Sequence, residues 1–424
     1  MSAASSLLEV PEIVCMIGHA LPRRVQASCL CLSKLWHNAI APLVWQDIAL
    51  DDDIFARRNE RPPLEGSEEL SNIDIKIWQA ISDMSNLQEL TLVYPVVDEI
   101  TLPYFENICT RIKVLWLHSV HMVAPIALTI TFPLLQDLLI SMYSNIDAIA
   151  FASQCPTLEI FQFETNELEP CQRLAQLLNS GGLPRLRHLD LELGSLHSDK
   201  DMASFIQGMH GLRKFESAHT IGPLSLPGFR SHFSTITEIT IGIHRGEAHG
   251  LWQEVMSSCP LLILAKTCQI SKNEVFYGAP WICNWIKELR LNLRLGSDGP
   301  IDAVTGTERE TMPYAVLKRI SELKALEKLC IGGYWPGKTA ELVPGEGLEL
   351  LSSLRRLKVL TLLSDTWSVL HIETAEWIQD HLEALEVLSG SWTLGNQMTR
   401  NAVALLRRCG IDVHWEGETK FERN

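Results

Sequence analysis

A handful of residues have the types and spacing that chemistry would need. Gly332-Gly333-Tyr334-Trp335-Pro336-Gly337-Lys338-Thr339 fits the pattern G-x-x-x-x-G-K-[ST]. In such a loop backbone amides cradle phosphates, the lysine neutralises them and the hydroxyl reaches a metal ion. The segment follows a predicted strand at Leu329–Ile331. However, Ala340-Glu341-Leu342-Val343 runs at once into Pro344-Gly345, which limits any helix after Thr339 to little more than a turn. Phosphates are held on the free amides of that helix, so the segment reads as a connecting loop, with an NTPase as the remote alternative. His118 and His121 stand three apart, without a nearby cysteine or acid to complete a metal set. No Gly-x-Ser-x-Gly elbow and no His-Glu-x-x-His helix occurs. Carboxylates are plentiful, but nothing in their spacing pairs two for acid–base work. The chain is therefore expected to have no catalytic residues, no metal ligands and no cofactor.

The composition narrows the partners. In 424 residues, Lys+Arg 36 against Asp+Glu 51 leaves a net charge of −15. That balance argues against a nucleic-acid or anionic-membrane surface, which needs clustered cations. Hydrophobic content of 46% with 21% charged residues describes a globular chain, long enough for two or three domains. No stretch approaches the roughly twenty apolar residues that span a bilayer; the most apolar run, Val123–Leu135, is broken by Pro125 and Pro133. The start, MSAASSLLEV, lacks the basic head of a signal peptide. Eleven cysteines, an odd number, are scattered without a CxxC pair. This is the usage of reduced core thiols in the cytoplasm or nucleus, not of a disulfide framework.

The elements that must position any binding residues are repeats. Leu87-x-x-Leu90-x-Leu92 is followed by Ile112-x-x-Leu115-x-Leu117, Leu135-x-x-Leu138-x-Ile140, Leu158-x-x-Phe161-x-Phe163 and Leu186-x-x-Leu189-x-Leu191. Leu212-x-x-Phe215, Ile236-x-x-Ile239-x-Ile241, a partial Leu261-x-x-Leu264 and Ile286-x-x-Leu289-x-Leu291 continue the series. The spacing is about 23 to 28 residues, the range of leucine-rich repeats. The pattern returns at Leu326, Leu357 and Leu385. Alternation at the Leu-x-Leu end predicts a short strand. The preceding apolar residues, such as Met202, Phe205 and Ile206, predict a helix, and Pro133, Pro156, Pro184 and Pro260 mark the boundary between them. One unit cannot bury its own apolar face, but a stack can. The expected fold is α/β: an irregular solenoid over 76–424 with parallel strands on the concave side and helices on the convex side. Loop insertions are expected near 292–323 and 332–347, rich in Gly, Pro and charge.

If the leucines of each strand face inward, the alternate residues line the concave face. Trp116, His118, Asp137, Glu164, His188, Asp190, Glu192 and Arg290 are the candidate substrate-binding residues. The middle of the arc is acidic and cations gather toward its C-terminal end. Trp116 is a candidate anchor, since exposed tryptophans dominate interfaces out of proportion to their number. A partner protein carrying a basic segment would suit this face.

Ahead of the repeats, residues 1–50 carry their own pattern, and 51–75 is a polar connection. Ile13, Ile17 and Leu21, then Val25, Cys29 and Leu32, then Trp36, Ile40 and Leu43 fall at helical spacing, with breaks at Pro11, Pro22 and Pro42. A three-helix unit of roughly forty residues is at the lower limit for folding alone and gains from a partner. Val10-Pro11-Glu12-Ile13, the Pro22-Arg23 turn, Cys29–Trp36 and Pro42-Leu43-Val44-Trp45 resemble an F-box, with Val10 in place of its leucine and Val25-Gln26 in place of its Asp-Leu. Together with Trp281–Trp285, Trp377–Leu388 and Leu405–Ile411, the chain resembles fungal F-box/leucine-rich-repeat proteins.

That resemblance implies the substrate-recognition subunit of a Skp–cullin–F-box ubiquitin ligase, without catalytic chemistry of its own. Pro11, Ile13, Ile17, Leu21, Leu32 and Trp36 would then form or support the interface with the Skp-type adaptor. The repeats would hold a target protein. An interaction scaffold outside any ligase is the alternative, sustained by the departures at Val10 and Val25-Gln26.

Overall fold

In the computed structural model the described residues are 47–51, 75–93, 96–123, 130–141, 146–165, 168–193, 199–217, 222–241, 250–294, 312–334, 347–363, 369–392 and 396–415. The F-box-like segment Leu8–Trp45 lies outside them, as does most of the 51–75 connection.

Each repeat is built by the same local steps. In the best-formed example, a helix at Ala148–Ser153 gives way to Cys155-Pro156-Thr157-Leu158. The Leu158 amide donates to the Cys155 carbonyl at 3.1 Å, closing a turn with proline at its second position, where the ring's fixed φ is already correct. The amides of Glu159 and Ile160 then both donate to the Gln136 carbonyl of the preceding repeat, at 2.8 and 2.9 Å, which fixes the register before the strand begins. The same turn recurs at Leu183–Leu186 (3.2 Å), Cys259–Leu262 (3.3 Å) and Leu354–Leu357 (3.0 Å). The first residue of this turn is a core position in its own right. Phe132, Cys155, Leu183, Cys259 and Cys283 occupy it, three residues before the leading Leu or Ile, and all are buried.

The chain forms two compact units, Met1–Leu196 with Gly208–His210, and His197–Gln207 with Gly211–Asn424. In the first, β1 (Asp47–Asp51), β2 (Glu89–Val93), β4 (Val114–His118), β6 (Asp137–Ile140), β7 (Ile160–Thr165) and β8 (His188–Leu193) lie side by side and parallel. A separate parallel pair joins β3 (Val96–Val97) to β5 (His121–Met122). Helices α1 (Ile75–Ser82), α2 (Leu102–Cys109), α3 (Ala148–Ser153) and α4 (Leu168–Asn179) supply the second layer. Trp78, Phe105, Phe151 and Phe132 contact in sequence, with centroids 6.1, 6.4 and 4.8 Å apart, so aromatic contacts link four successive repeats.

In the second unit β9 (Lys214–Ser217), β10 (Glu238–Ile241), β11 (Leu264–Ser271), β12 (Glu288–Arg294), β13 (Lys328–Tyr334), β14 (Val359–Leu363), β15 (Val387–Gly390) and β16 (Asp412–Trp415) follow in order, again parallel. Between them run α5 (Asp199–Gly208), α6 (Leu226–Arg230), α7 (Leu251–Ser258), α8 (Lys272–Tyr277), α9 (Met312–Ser321), α10 (Ile372–His381) and α11 (Gln397–Arg408), with a 3-10 turn at Leu348–Ser353. The fold is thus the α/β leucine-rich-repeat solenoid class in both units, one strand and one helical or turn segment per repeat.

Four features depart from the sequence reading. Asp47–Asp51 is a strand of the sheet, where a helical unit was expected to end and a connection to begin; Trp45-x-x-Ile48-x-Leu50 carries the repeat spacing there. The partial repeat is framed one residue later. Leu262 and Ala265 are fully buried, whereas Leu261 is 46% exposed. The turn Cys259-Pro260-Leu261-Leu262 decides this, because a one-residue slip would turn every side chain to the other face. The expected insertion 292–323 is shorter, since β12 runs to Arg294 and α9 begins at Met312. Ala315, Val316, Leu317 and Ile320 of α9 are buried, so its apolar positions dock as a repeat helix. Arg319 ties α9 to the preceding repeat by donating to the carbonyls of Val275, Gly278 and Ala279 at 2.7, 2.6 and 2.7 Å. Finally, the expected insertion 332–347 starts inside a strand, because β13 continues to Tyr334.

Candidate functional site

Strand alternation produces two faces. In β4 and β6, Leu115, Leu117, Leu138 and Ile140 are buried, while Trp116 is 37% exposed and Asp137, His118 and Leu139 are half-buried. The candidate residues therefore sit on the strand face opposite the core.

Seven of the eight lie in the N-terminal unit. Trp116 and Asp137 come from adjacent strands, and the indole Nε1 donates to Asp137 Oδ1 at 3.4 Å. His118 is the last residue of β4; the next, Ser119, takes a left-handed backbone (φ 54°), and its amide donates to Ser141 Oγ at 2.8 Å, which fixes how the chain leaves the strand. Glu164 and Glu192 face each other directly across β7 and β8. Partial burial pushes the Glu192 carboxyl above its ordinary range, and the neighbouring Glu164 charge adds to it. Asp190 is in register with Gln162, and His188 with Ile160.

Arg290 is in the C-terminal unit, in register with Cys330. There the outward residues alternate in sign. Lys214 Nζ lies 2.8 Å from Glu216 and 3.7 Å from Glu238, Lys266 Nζ 3.4 Å from Glu288, and Lys328 Nζ 3.9 Å from Glu288. The eight candidates are thus divided between two faces of different character.

The adaptor candidates Pro11, Ile13, Ile17, Leu21, Leu32 and Trp36 lie outside the described residues, as do Gly337, Lys338 and Thr339 of the phosphate-loop match. Its first glycines are strand residues. Gly332 pairs with Asn292 on one side and Leu363 on the other, and Gly333 pairs with Leu293. Three of its eight residues, Gly332 to Tyr334, are therefore engaged in sheet pairing.

Among the described residues no group of three or more His, Cys, Asp or Glu could hold a metal ion, and no helix is long and apolar enough to cross a membrane. Burial pushes the thiols of Cys155, Cys259 and Cys283 up to about 12, and that of Cys109 well above its ordinary value. These are packing groups, not nucleophiles at neutral pH. A cavity of about 20 Å³ lined by Leu348, Leu360, Leu362, Leu370 and Ile378, among others, has room for a water molecule.

Sequence reasoning left out Val114 and Ile160, outward strand residues that give the N-terminal face its apolar ground; the alternation that found Trp116 also finds them. It also placed Trp285 within a family-like segment without seeing that it is 67% exposed. Leu261 and Trp285 each directly precede a buried first core residue, Leu262 and Ile286.

No family model and no curated protein matches the chain. Among solved structures, an internalin from Listeria monocytogenes is similar over 80% of this chain and 83% of its own, with 12% identity and a TM-score of 0.40. The fold described above follows from strand register and repeat burial, not from this likeness.

Proposed function

We propose that the chain is a non-catalytic receptor that presents a protein target to a ubiquitin ligase. The strand faces of the repeats hold the target. The N-terminal segment engages a Skp-type adaptor of a cullin complex through Pro11, Ile13, Ile17, Leu21, Leu32 and Trp36. The single observation behind the receptor reading is the outward row of strand side chains, polar and aromatic, on the strand face opposite the core. The adaptor reading is supported by the F-box-like residues Val10-Pro11-Glu12-Ile13 through Pro42-Leu43-Val44-Trp45. Such a protein contributes proximity and specificity, while bond making belongs to the enzyme it recruits. Its scattered cysteines suit the reducing cytoplasm or nucleus.

The test is a pull-down of the full chain with a Skp-type adaptor, comparing wild type with the double variant Pro11→Ala, Ile13→Ala. Adaptor retained by wild type and lost by the variant supports the ligase reading. No adaptor captured by either leaves an interaction scaffold outside any ligase.

A further inference from the structure

We propose that the turns leading into the strands of the C-terminal unit dock an acidic segment of a partner protein. One large apolar side chain of that segment sits on Leu261, Ile263, Ile282 and Trp285, and its carboxylates meet the flanking arginines. This edge is separate from the strand face behind the receptor reading, so the inference goes beyond that reading and does not rest on it.

Position is the first support. The residue just after the leading Leu or Ile of each repeat gives its amide to the carbonyl of its counterpart in the repeat before. Thr237 donates to Arg213, Ile263 to Thr237, Lys287 to Ile263, Glu327 to Lys287 and Lys358 to Glu327, each at 2.7 or 2.8 Å. These residues therefore stand side by side in one row. The register that pairs Leu264 with Glu288 also sets Leu261 beside Trp285.

Exposure is the second. Trp285 is 67% exposed, Leu261 46%, Ile282 42% and Ile263 39%, and all four belong to the turns ahead of β11 and β12. In five other turns of the unit the position of Leu261 and Trp285 holds Gly211, Thr235, Ala325, Arg356 and Ala384. A single exposed apolar residue is ordinary, but four together, an indole among them, mark a contact surface.

Charge is the third, and it selects the partner. Arg213 is exposed on one side of the cluster and Arg355 and Arg356 on the other. Among the described residues none of these three arginines forms an ion pair. Lys287 and Lys358 are matched by Glu327 and Glu386 at 3.6 and 3.0 Å, and Lys324 Nζ donates to the Ser321 carbonyl at 2.6 Å. With the two pairs set aside, the turns from Arg213 to Lys358 keep Arg213, Lys324, Arg355 and Arg356 against the exposed Glu322. In a chain of net charge −15 this is a local excess of positive charge, and it complements carboxylates. Cations divided by an aliphatic patch suit an acidic peptide, whereas a nucleic-acid backbone needs a continuous track of them.

Spacing then makes the proposal specific. Arg213, ahead of β9, is two strand steps from Ile263, and Arg356, ahead of β14, is two from Trp285. Each gap is about 10 Å at the usual strand separation. An extended peptide advances about 3.4 Å per residue, so acids about three residues to either side of the apolar anchor reach both arginine groups. The segment should therefore carry Glu or Asp three residues before and three residues after a large apolar residue.

The test uses the full chain and a fluorescein-labelled nine-residue peptide with a central Trp, Glu three residues to each side and Ser elsewhere, read by fluorescence anisotropy. Replacing the peptide's Trp by Ser, or both its Glu by Lys, should weaken binding about tenfold or more. A similar loss is expected in Trp285→Ser and in the double variant Arg355→Glu, Arg356→Glu, and a severalfold loss in Arg213→Glu. Binding should be unchanged in Lys113→Glu, an equal change of charge at an exposed site of the N-terminal unit. Circular dichroism and thermal melting establish that each variant folds, and the double variant Arg355→Lys, Arg356→Lys should keep binding because charge is the contact. No binding by wild type overturns the proposal. So does a loss in Lys113→Glu equal to that in Arg213→Glu, which would show an effect of net charge alone. A single-stranded oligonucleotide that binds more tightly than the peptide, and is lost in the same variants, would make the edge a polyanion track and overturn it too.

Discussion

The two units are built from the same repeat, yet their outward faces solve the charge problem differently. On the C-terminal face lysine and glutamate alternate across strands, as in Lys266 beside Glu288 and Lys328 beside the same carboxylate. On the N-terminal face Glu164 stands opposite Glu192 and the indole of Trp116 beside Asp137. Inward strand positions are alike in both, because Leu, Ile or Phe fills most of them, as at Leu115, Phe161, Ile239 and Leu360. The lesson is that a repeat separates its two tasks by strand alternation. One face is held fixed by packing, and the other is free to vary in charge at little cost to the fold.

The largest expected effect tests whether the two units are energetically separable. Phe161 is fully buried and stacks on Phe163 at 5.7 Å. Phe161→Ala should cost about 3–5 kcal/mol and raise amide hydrogen exchange in β6, β7 and β8, with β12 to β15 keeping their protection. Equal loss across both sets would show one cooperative array and dissolve the comparison.

A smaller effect concerns the acidic face itself. Glu192→Gln removes a charge opposed to Glu164 and should raise stability near neutral pH by a few tenths of a kcal/mol. Because the folded state holds the Glu192 proton more tightly than the unfolded chain does, the wild type should gain stability as pH falls from neutrality toward 4.5, the ordinary value for glutamate. In the Gln variant that gain should shrink, as read by urea denaturation at several pH values. An unchanged pH slope would mean that this pair carries no strain.

The smallest effect belongs to the ion-paired face. Lys266, 40% exposed, pairs with Glu288 at 3.4 Å. Lys266→Ala should change the urea midpoint by less than the equivalent of about 0.5 kcal/mol. A larger loss would show that the C-terminal face is a cooperative electrostatic network, with a stabilising role that the N-terminal face lacks.

Much of this was legible in the residues because leucine spacing and strand alternation are local. Leu115-x-Leu117 predicts both the buried pair and the outward Trp116 without knowledge of any neighbour. Where adjacent apolar residues compete, as at Leu261 and Leu262, spacing alone is ambiguous by one, and the proline turn settles it. The short Asp47–Asp51 strand and helix α9 were hidden for a related reason. Each sits in polar surroundings where composition suggests a loop, and each is held by pairing or docking with a neighbouring repeat that is far away along the chain.

The sequence by itself determined the repeat, its period, the core residues and the absence of recognised catalytic patterns, because these depend on residue type and on separations of a few positions along the chain. The tertiary structure decided which charges meet. That Glu164 faces Glu192 and Trp116 touches Asp137, while Arg290 belongs to a different unit and lies beside Cys330, follows from the register between strands more than twenty residues apart in sequence. No local pattern encodes that register; the turns and shared carbonyls of successive repeats set it.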